Sequence, residues 1–242
     1  MIDTSPRDRI VRAAAALLAQ GGREAVSTRA VARAAGVQAP TLYRQFGDMR
    51  GLLDAAASYG FAAYLHSKAS HEPAEDPVDA LRQGWDLHVE FGLADPACYA
   101  LMYGDPRPGE QPTAARVAGD ILGQLVQRVA EAGRLRVPVD RATGITHAAA
   151  SGVTLALLRV APPERDPALS AATREAVIAA VATDSPIARA APGPDPRSAV
   201  RHAVALRAAL PRLATGLTAA EKALLAEWLD RVAGAPRPAP PG

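Results

Sequence analysis

At 242 residues, with 49% hydrophobic and 21% charged side chains, the chain has an ordinary globular composition and enough length for one large domain or two. Its single cysteine, Cys98, excludes an intrachain disulfide and fits a reducing compartment. The net charge of +2 conceals an asymmetry: residues 1–50 carry eight basic and four acidic side chains, hence +4, leaving −2 for residues 51–242. Positive charge gathered at one end suits a module that meets phosphate.

Residues 6–20 have the spacing of a helix, with Pro6 near its start, Ile10, Ala14, Leu17 and Leu18 on one face, and Gly21-Gly22 to end it. Val26 precedes Ser27, which is placed to cap a second helix whose apolar face is Val31, Ala34 and Ala35. Gly36 suits a left-handed stop, Val37 continues the small core, and Pro40 fits the first turn of a third helix with Leu42 and Phe46 inward. Gln38, Thr41, Tyr43 and Arg44 are then left outward. A face carrying amide, hydroxyl, phenol and guanidinium groups suits the base edges and phosphates of duplex DNA. Three helices in so short a stretch make a marginal unit. They are expected to lean on a helix over 48–67, capped by Asp48, with Leu52, Leu53 and Ala56 at its start and Phe46 packed beneath it.

The polar, proline-containing segment 70–77 reads as a domain boundary. After Asp76-Pro77 a helix presents Val78, Leu81, Trp85 and His88, and Asp95-Pro96 opens a short one carrying Cys98, Tyr99, Leu101, Met102 and Tyr103. A loop at 104–112 precedes a long helix over 113–132 with Val117, Ile121, Leu125 and Val129 in register. Asp140 is expected to cap a helix over 141–159, and a shorter one follows over 170–182. A loop at 185–196 leads to helices at 197–213 and 218–233, the last with a Thr218/Glu221 capping box and a Leu224, Leu225, Trp228 and Val232 face. The tail 234–242 is expected to be disordered. No segment alternates convincingly with period two, so the prediction is all-α: a helix-turn-helix unit over 1–47, a connecting helix over 48–69, and a larger helical domain over 76–233.

The N-terminus is polar with no apolar stretch behind it, and the longest uncharged run, 142–158, is short for a membrane span, so a cytoplasmic protein is expected. Trp85, His88, Phe91, Tyr99, Met102 and Tyr103 gather bulky side chains into one region. With His147, Ser151 and Thr154, spaced i, i+4, i+7, they can line an apolar pocket with a few polar handles for a small molecule. The same residues also suit a plain core. The histidines form no His-x-x-x-His or Cys/His cluster, so no metal or other cofactor is expected. An enzyme using His88, Cys98, His147 or Ser151 is the weaker reading, because no Gly-x-Ser-x-Gly setting, paired carboxylates or phosphate loop accompanies them.

The run Val31-Ala32-Arg33-Ala34-Ala35-Gly36-Val37, then Thr41-Leu42-Tyr43-Arg44-Gln45-Phe46, then Leu52-Leu53, resembles the DNA-binding domain of the TetR/AcrR family of transcriptional regulators over about residues 9–56. The segments 78–103 and 141–158 are more distantly similar to the ligand-domain pattern of one actinobacterial-type branch. The resemblance implies a homodimer on a pseudo-palindromic operator, a helical C-terminal domain that binds a small molecule, and repression relieved by that molecule; an activator, or a regulator without a ligand, is the alternative. It places Ser27, Thr28 and Arg29 at the start of a phosphate-touching helix, and Gln38, Ala39, Pro40, Thr41, Tyr43 and Arg44 on the recognition helix. The chemistry agrees: Arg44 can pair with guanine or phosphate and Gln38 with adenine, each good bidentate pair discriminating by about 1–3 kcal/mol. Tyr43 suits a phosphate, and Ala39 and Pro40 a thymine methyl. Where the family carries a lysine aimed at the DNA backbone, this chain has Met49 followed by Arg50. Either Arg50 takes that contact, or one phosphate contact is lost and the salt dependence flattens by about 0.9 in log–log slope. A dimer seam is expected on 141–158, where Ala148, Gly152 and Ala156 allow close approach, or on 218–233.

Overall fold

Short polar residues one step ahead of apolar helical runs set where most helices begin. The computed structural model describes residues 5–68, 74–105, 108–183, 196–213 and 216–234. Ser5, Ser27, Asp95, Asp166 and Thr218 accept first-turn backbone N–H bonds at α1 (Pro6–Ala25), α2 (Thr28–Ala35), α6 (Pro96–Tyr103), α9 (Pro167–Val181) and α11 (Ala219–Val232). Asp48 and Asp76 serve α4 (Met49–Lys68) and α5 (Pro77–Ala94), with Oδ1 2.8 Å from the amides of Gly51 and Val78. The remaining helices are α3 (Ala39–Phe46), α7 (Thr113–Glu131), α8 (Val139–Leu158) and α10 (Pro196–Ala209). Single 3₁₀ turns at Pro162–Glu164 and Leu210–Arg212 complete them. The fold is all-α, with no strand among the described residues; Leu135 and Ala182 form an isolated bridge.

Several expectations shift. The first helix loses regular geometry at Gly21 and Gly22 as predicted, but one more turn follows to Ala25. Ala34 is exposed, so the inward face of α2 is Val31 and Ala35 alone. Val117 and Ile121 are exposed as well; of the stripe predicted on α7, Val129 is buried and Leu125 half-buried, with Val126 and Ala130 buried beside them. Asp140 lies inside the first turn of α8 rather than ahead of it. On α11, Leu224, Trp228 and Val232 are exposed, and no residue of that helix is buried. The predicted tail lies outside the described residues beyond Gly234, as does the predicted loop up to 195. No described helix is long and apolar enough to cross a membrane.

The chain divides into two compact units. The first is Met1–Glu72, Leu87–Ala118 and Thr154–Arg165. Its core runs from Ile10, Leu18, Val31 and Leu42 through Leu52 and Phe61 to Phe91, Tyr99 and Met102. Each such side chain, fully buried, contributes about 1.5–3 kcal/mol relative to exposure, so the short N-terminal helices are held by this shared core rather than by propensity. Within it α6 packs on α1 and α4. The second unit is Pro73–Asp86, Gly119–Val153 and Asp166–Gly242, with a core of Val78, Leu81, Val126, Val129, Leu135, Val181 and Val204 among others. There Arg134 is buried, ion-paired with Asp76, and donates from Nε to the Thr183 carbonyl at 2.7 Å, which satisfies a guanidinium that burial would otherwise penalise.

Candidate nucleic-acid interface and effector site

One glycine sets the turn between α2 and α3. Gly36 sits at φ 64°, ψ 43°, a left-handed conformation that costs an L side chain about 1–2 kcal/mol. The Val37 amide then bonds back to the Ala32 carbonyl at 3.0 Å, closing the end of α2. Gln38 enters α3 from an extended backbone and makes no side-chain cap, so its amide remains available, and Pro40 occupies the first turn. Leu42 is buried, Phe46 is half-buried, and Gln38, Pro40, Tyr43 and Arg44 are exposed, with Ala39 and Thr41 half-buried between them.

On α2, Ser27 spends its oxygen on the Ala30 amide, Arg29 is exposed and Thr28 is half-buried. The Thr28 hydroxyl lies 3.1 Å from the Tyr43 hydroxyl and donates to the Met49 sulfur at 3.4 Å. That explains the departure at Met49: its side chain packs on the core beneath Thr28, tying α2 to α4. The cation at this end of α4 is the exposed Arg50, whose Nη1 is 2.8 Å from Glu110 Oε2.

Two basic residues at this end were not singled out by the sequence reading. The Arg7 guanidinium lies over the Phe46 ring, 5.1 Å from its centroid, and Arg9 Nε donates to the Ala35 carbonyl at 3.4 Å. Nothing near Arg7 or Arg9 in sequence announces either partner. Arg7 and Arg12 also edge a cleft of about 600 Å³ with Asp54, Ser58 and Tyr59.

Of the nine predicted effector residues, six fall in the first unit and three in the second. In the first, His88 Nε2 is 2.7 Å from the Tyr99 hydroxyl, and the Tyr99 ring centroid is 4.7 Å from that of Tyr103 and 6.2 Å from that of Phe91. Met102 is buried in the same core, and Thr154 reaches it opposite Gly92. Phe61 and Tyr64 of α4 extend the group, with ring centroids 5.2 and 5.1 Å from Phe91. Their helix pattern alone does not reveal this partnership. Burial pushes the Tyr103 phenol up from its usual pKa, with Tyr99 adding to the shift. Burial and then the Asp95 carboxylate push the Cys98 thiol up, so it stays protonated near neutral pH and makes a poor nucleophile.

In the second unit, Trp85 is buried and its indole Nε1 donates to Ser170 at 3.1 Å. His147 is half-buried, and burial lowers its pKa below the ordinary histidine value. The hydroxyls of Ser151, Thr143 and Thr146 are buried without a hydrogen-bond partner among the described residues. Thr143, one turn before His147, extends the predicted polar stripe toward the start of α8, while Thr146 lies on the buried face with Ala142, Ala150 and Val153. A groove of about 1200 Å³ in this unit is lined by residues of α8, α10 and α11 including Arg141, Arg207 and Asp230. None of the nine predicted residues lines it or the cleft beside Arg7.

A glycine-turned helix pair with an exposed polar and cationic second helix, buttressed by a third and a fourth, is a helix-turn-helix DNA-binding unit. Residues 10–56 match the family described as bacterial regulatory proteins, tetR family, so this N-terminal part of the chain is a TetR-family DNA-binding domain. No curated protein matches the chain significantly. Among solved structures it is similar to a chain from Shewanella sp. PV-4 described provisionally as a tetR family transcription regulator, at 20% identity and TM-score 0.56, covering 74% of this chain and 100% of that one. It is also similar to a protein of unknown function from Rhodococcus sp. RHA1, at 25% identity and TM-score 0.57, covering 75% and 98%. The multidrug binding protein EbrR, solved with imidazole, aligns at 22% identity and TM-score 0.53, covering 76% and 98%.

Proposed function

We propose that this DNA-binding regulator is a repressor that leaves its operator when a small molecule binds among the helices behind the reading head. The observation that carries the reading is the shared core: Phe91, Tyr99 and Met102 belong to the same apolar cluster as Val31 and Leu42, and α6 packs on both α1 and α4. A ligand that repacks the half-buried His88 and Tyr103 would therefore move the helices that carry Arg44. Its differential affinity for the two arrangements would set how far the operator equilibrium shifts. EbrR, whose fold is similar, is described as binding drugs, which favours a sensor over a ligand-free regulator.

On the DNA side, Gln38, Ala39, Pro40, Thr41 and Arg44 read bases, while Ser27, Thr28, Arg29, Tyr43 and Arg50 meet the backbone. One such unit reads a half-site, so a homodimer on a pseudo-palindromic operator follows. The seam falls on the exposed small residues Ala148, Gly152 and Ala156 of α8 or on the apolar stripe of α11, Leu224, Trp228 and Val232, which is exposed as well. A regulator of this kind acts in the cytoplasm, where its operator would be.

The test begins with selection of duplexes from a random-sequence pool by the wild-type protein, followed by binding titrations against salt. Arg44→Ala is expected to weaken binding to the selected duplex at least tenfold with the fold intact, in line with the loss of about 1–3 kcal/mol for a bidentate contact. Failure to enrich any sequence at low salt would overturn the DNA reading. A panel of aromatic and apolar compounds then tests release; if none alters binding while the protein remains folded, the ligand-free alternative stands.

A further inference from the structure

The cation at the DNA-facing end of α4 is already engaged. Arg50 Nη1 lies 2.8 Å from Glu110, both side chains being more than half exposed, at 63% and 53%. A second tie runs beside it: Asp54, one turn further along α4, accepts the Thr113 amide at 2.8 Å and the Thr113 hydroxyl at 2.7 Å. The positions match, since 50 and 54 lie four apart on one helix face while 110 and 113 flank the start of α7. Gly109, at φ 77° after Pro108, supplies the left-handed step that brings the chain to Glu110. The Asp54 tie caps a helix and offers DNA nothing, because its groups are spent on each other. The Arg50 tie differs: it holds a guanidinium against a carboxylate where a phosphate oxygen would offer the same geometry.

We propose that Glu110 is an internal competitor for operator phosphate, an acidic side chain that occupies Arg50 in the free protein and must release it when DNA binds. The inference rests on the reading of Arg50 as a backbone contact. An exposed ion pair contributes at most about 1 kcal/mol, so the competition costs operator affinity up to about fivefold per protomer. It is strongest at low salt, where the internal pair is least screened. The competition therefore flattens the salt dependence of DNA binding, hiding part of the slope of about 0.9 that each neutralised phosphate supplies. It also gives the α6–α7 connection a direct hold on affinity: any rearrangement that withdraws Glu110 frees the cation, and any that presses it closer masks it.

The experiment is a double-mutant cycle in the full-length protein, read as affinity against salt for a duplex that the wild-type protein enriches from a random pool. Arg50→Gln is expected to weaken binding and lower the slope. Glu110→Gln is expected to tighten binding two- to fivefold at low salt and to steepen the slope. In the Arg50→Gln background, Glu110→Gln is expected to gain nothing. A Glu110→Gln gain that persists in that background is long-range repulsion of DNA, and overturns the competition while leaving the Arg50 contact standing. Unchanged affinity and slope in Glu110→Gln alone do the same. Unchanged affinity in Arg50→Gln removes the phosphate contact and the competitor together. Glu110→Asp, which keeps the charge on a shorter arm, should fall between the wild type and Glu110→Gln.

Discussion

Gly92 marks the tightest point of the aromatic core, and adding one methyl group there tests how that core is built. An ideal Cβ on residue 92 would stand 2.3 Å from Thr154 Cγ2 and 2.9 Å from the Tyr99 ring. Ordinary carbon contacts lie at about 3.5–4.0 Å, so something must retreat by about 1 Å. Tyr99 has no exposed surface and is packed by ring contacts with Phe91 and Tyr103, which leaves α8 at Thr154 to give way. Overpacking of this kind costs about 1–3 kcal/mol, and a contact this short belongs in the upper half of that range. Alanine recovers about 0.8–1.0 kcal/mol of helix propensity over glycine, so Gly92→Ala should destabilise by a net of about 1–2 kcal/mol. For a chain of this size that lowers the unfolding midpoint by about 2–4 °C per kcal/mol. The assay is thermal denaturation at fixed protein concentration for Gly92→Ala, Thr154→Ser and the double variant. Removing the Thr154 methyl should relieve most of the added strain, giving a favourable coupling of about 0.5 kcal/mol or more. A Gly92→Ala protein at least as stable as the wild type would refute the argument.

Three further outcomes follow from other parts of the molecule. Gly36→Ala meets no atom within 4 Å, so its cost is backbone strain alone: a stability loss of about 1–2 kcal/mol in denaturant titration, with Gly36→Asn losing less. Burial lowers the pKa of His147, so the unfolded chain binds the proton first and stability should fall as pH drops below about 6.5, levelling once the folded-state pKa is passed. His147→Gln should shrink the difference in unfolding midpoint between pH 7 and pH 5 relative to wild type; an equal difference in both proteins would show that this residue is not a source. Trp228→Glu places a charge in the exposed stripe of α11, where Leu224, Trp228 and Val232 are 44%, 52% and 54% exposed. Sedimentation equilibrium should then show weakened self-association, and an unchanged mass distribution would remove α11 from the seam.

The reading head was legible because its determinants are local. Ser27, Gly36, Pro40 and the Leu42/Phe46 pair act within a few residues of themselves through capping, left-handed geometry and one-turn spacing. Helix starts at Asp48, Asp76, Asp95 and Thr218 were legible for the same reason. Periodicity failed where only part of a helical stripe is covered. On α7, the stripe Val117, Ile121, Leu125 and Val129 is exposed at its start and buried at its end, where Val126 joins it, and which part is covered depends on which neighbours arrive. The partnership of Arg50 with Glu110, and of Arg7 with Phe46, depends on pairings across long stretches of chain, which no local pattern encodes. The aromatic group was recognised as a cluster, but its membership in one core with the reading head was not, because Phe61 and Tyr64 gave no sign of meeting Phe91.

That continuous core bears on how such a regulator can be taken apart. A chimera joining residues 1–68 to another protein's sensing half would leave Phe61 and Tyr64 without Phe91, and strip α1 and α4 of the α6 surface they pack against. The reading head is thus less a plug-in cartridge than the front of a single keystone block. Specificity is better re-engineered by exchanging exposed residues such as Gln38 and Arg44 in place, and a grafted sensor would have to bring a matching α6 with it.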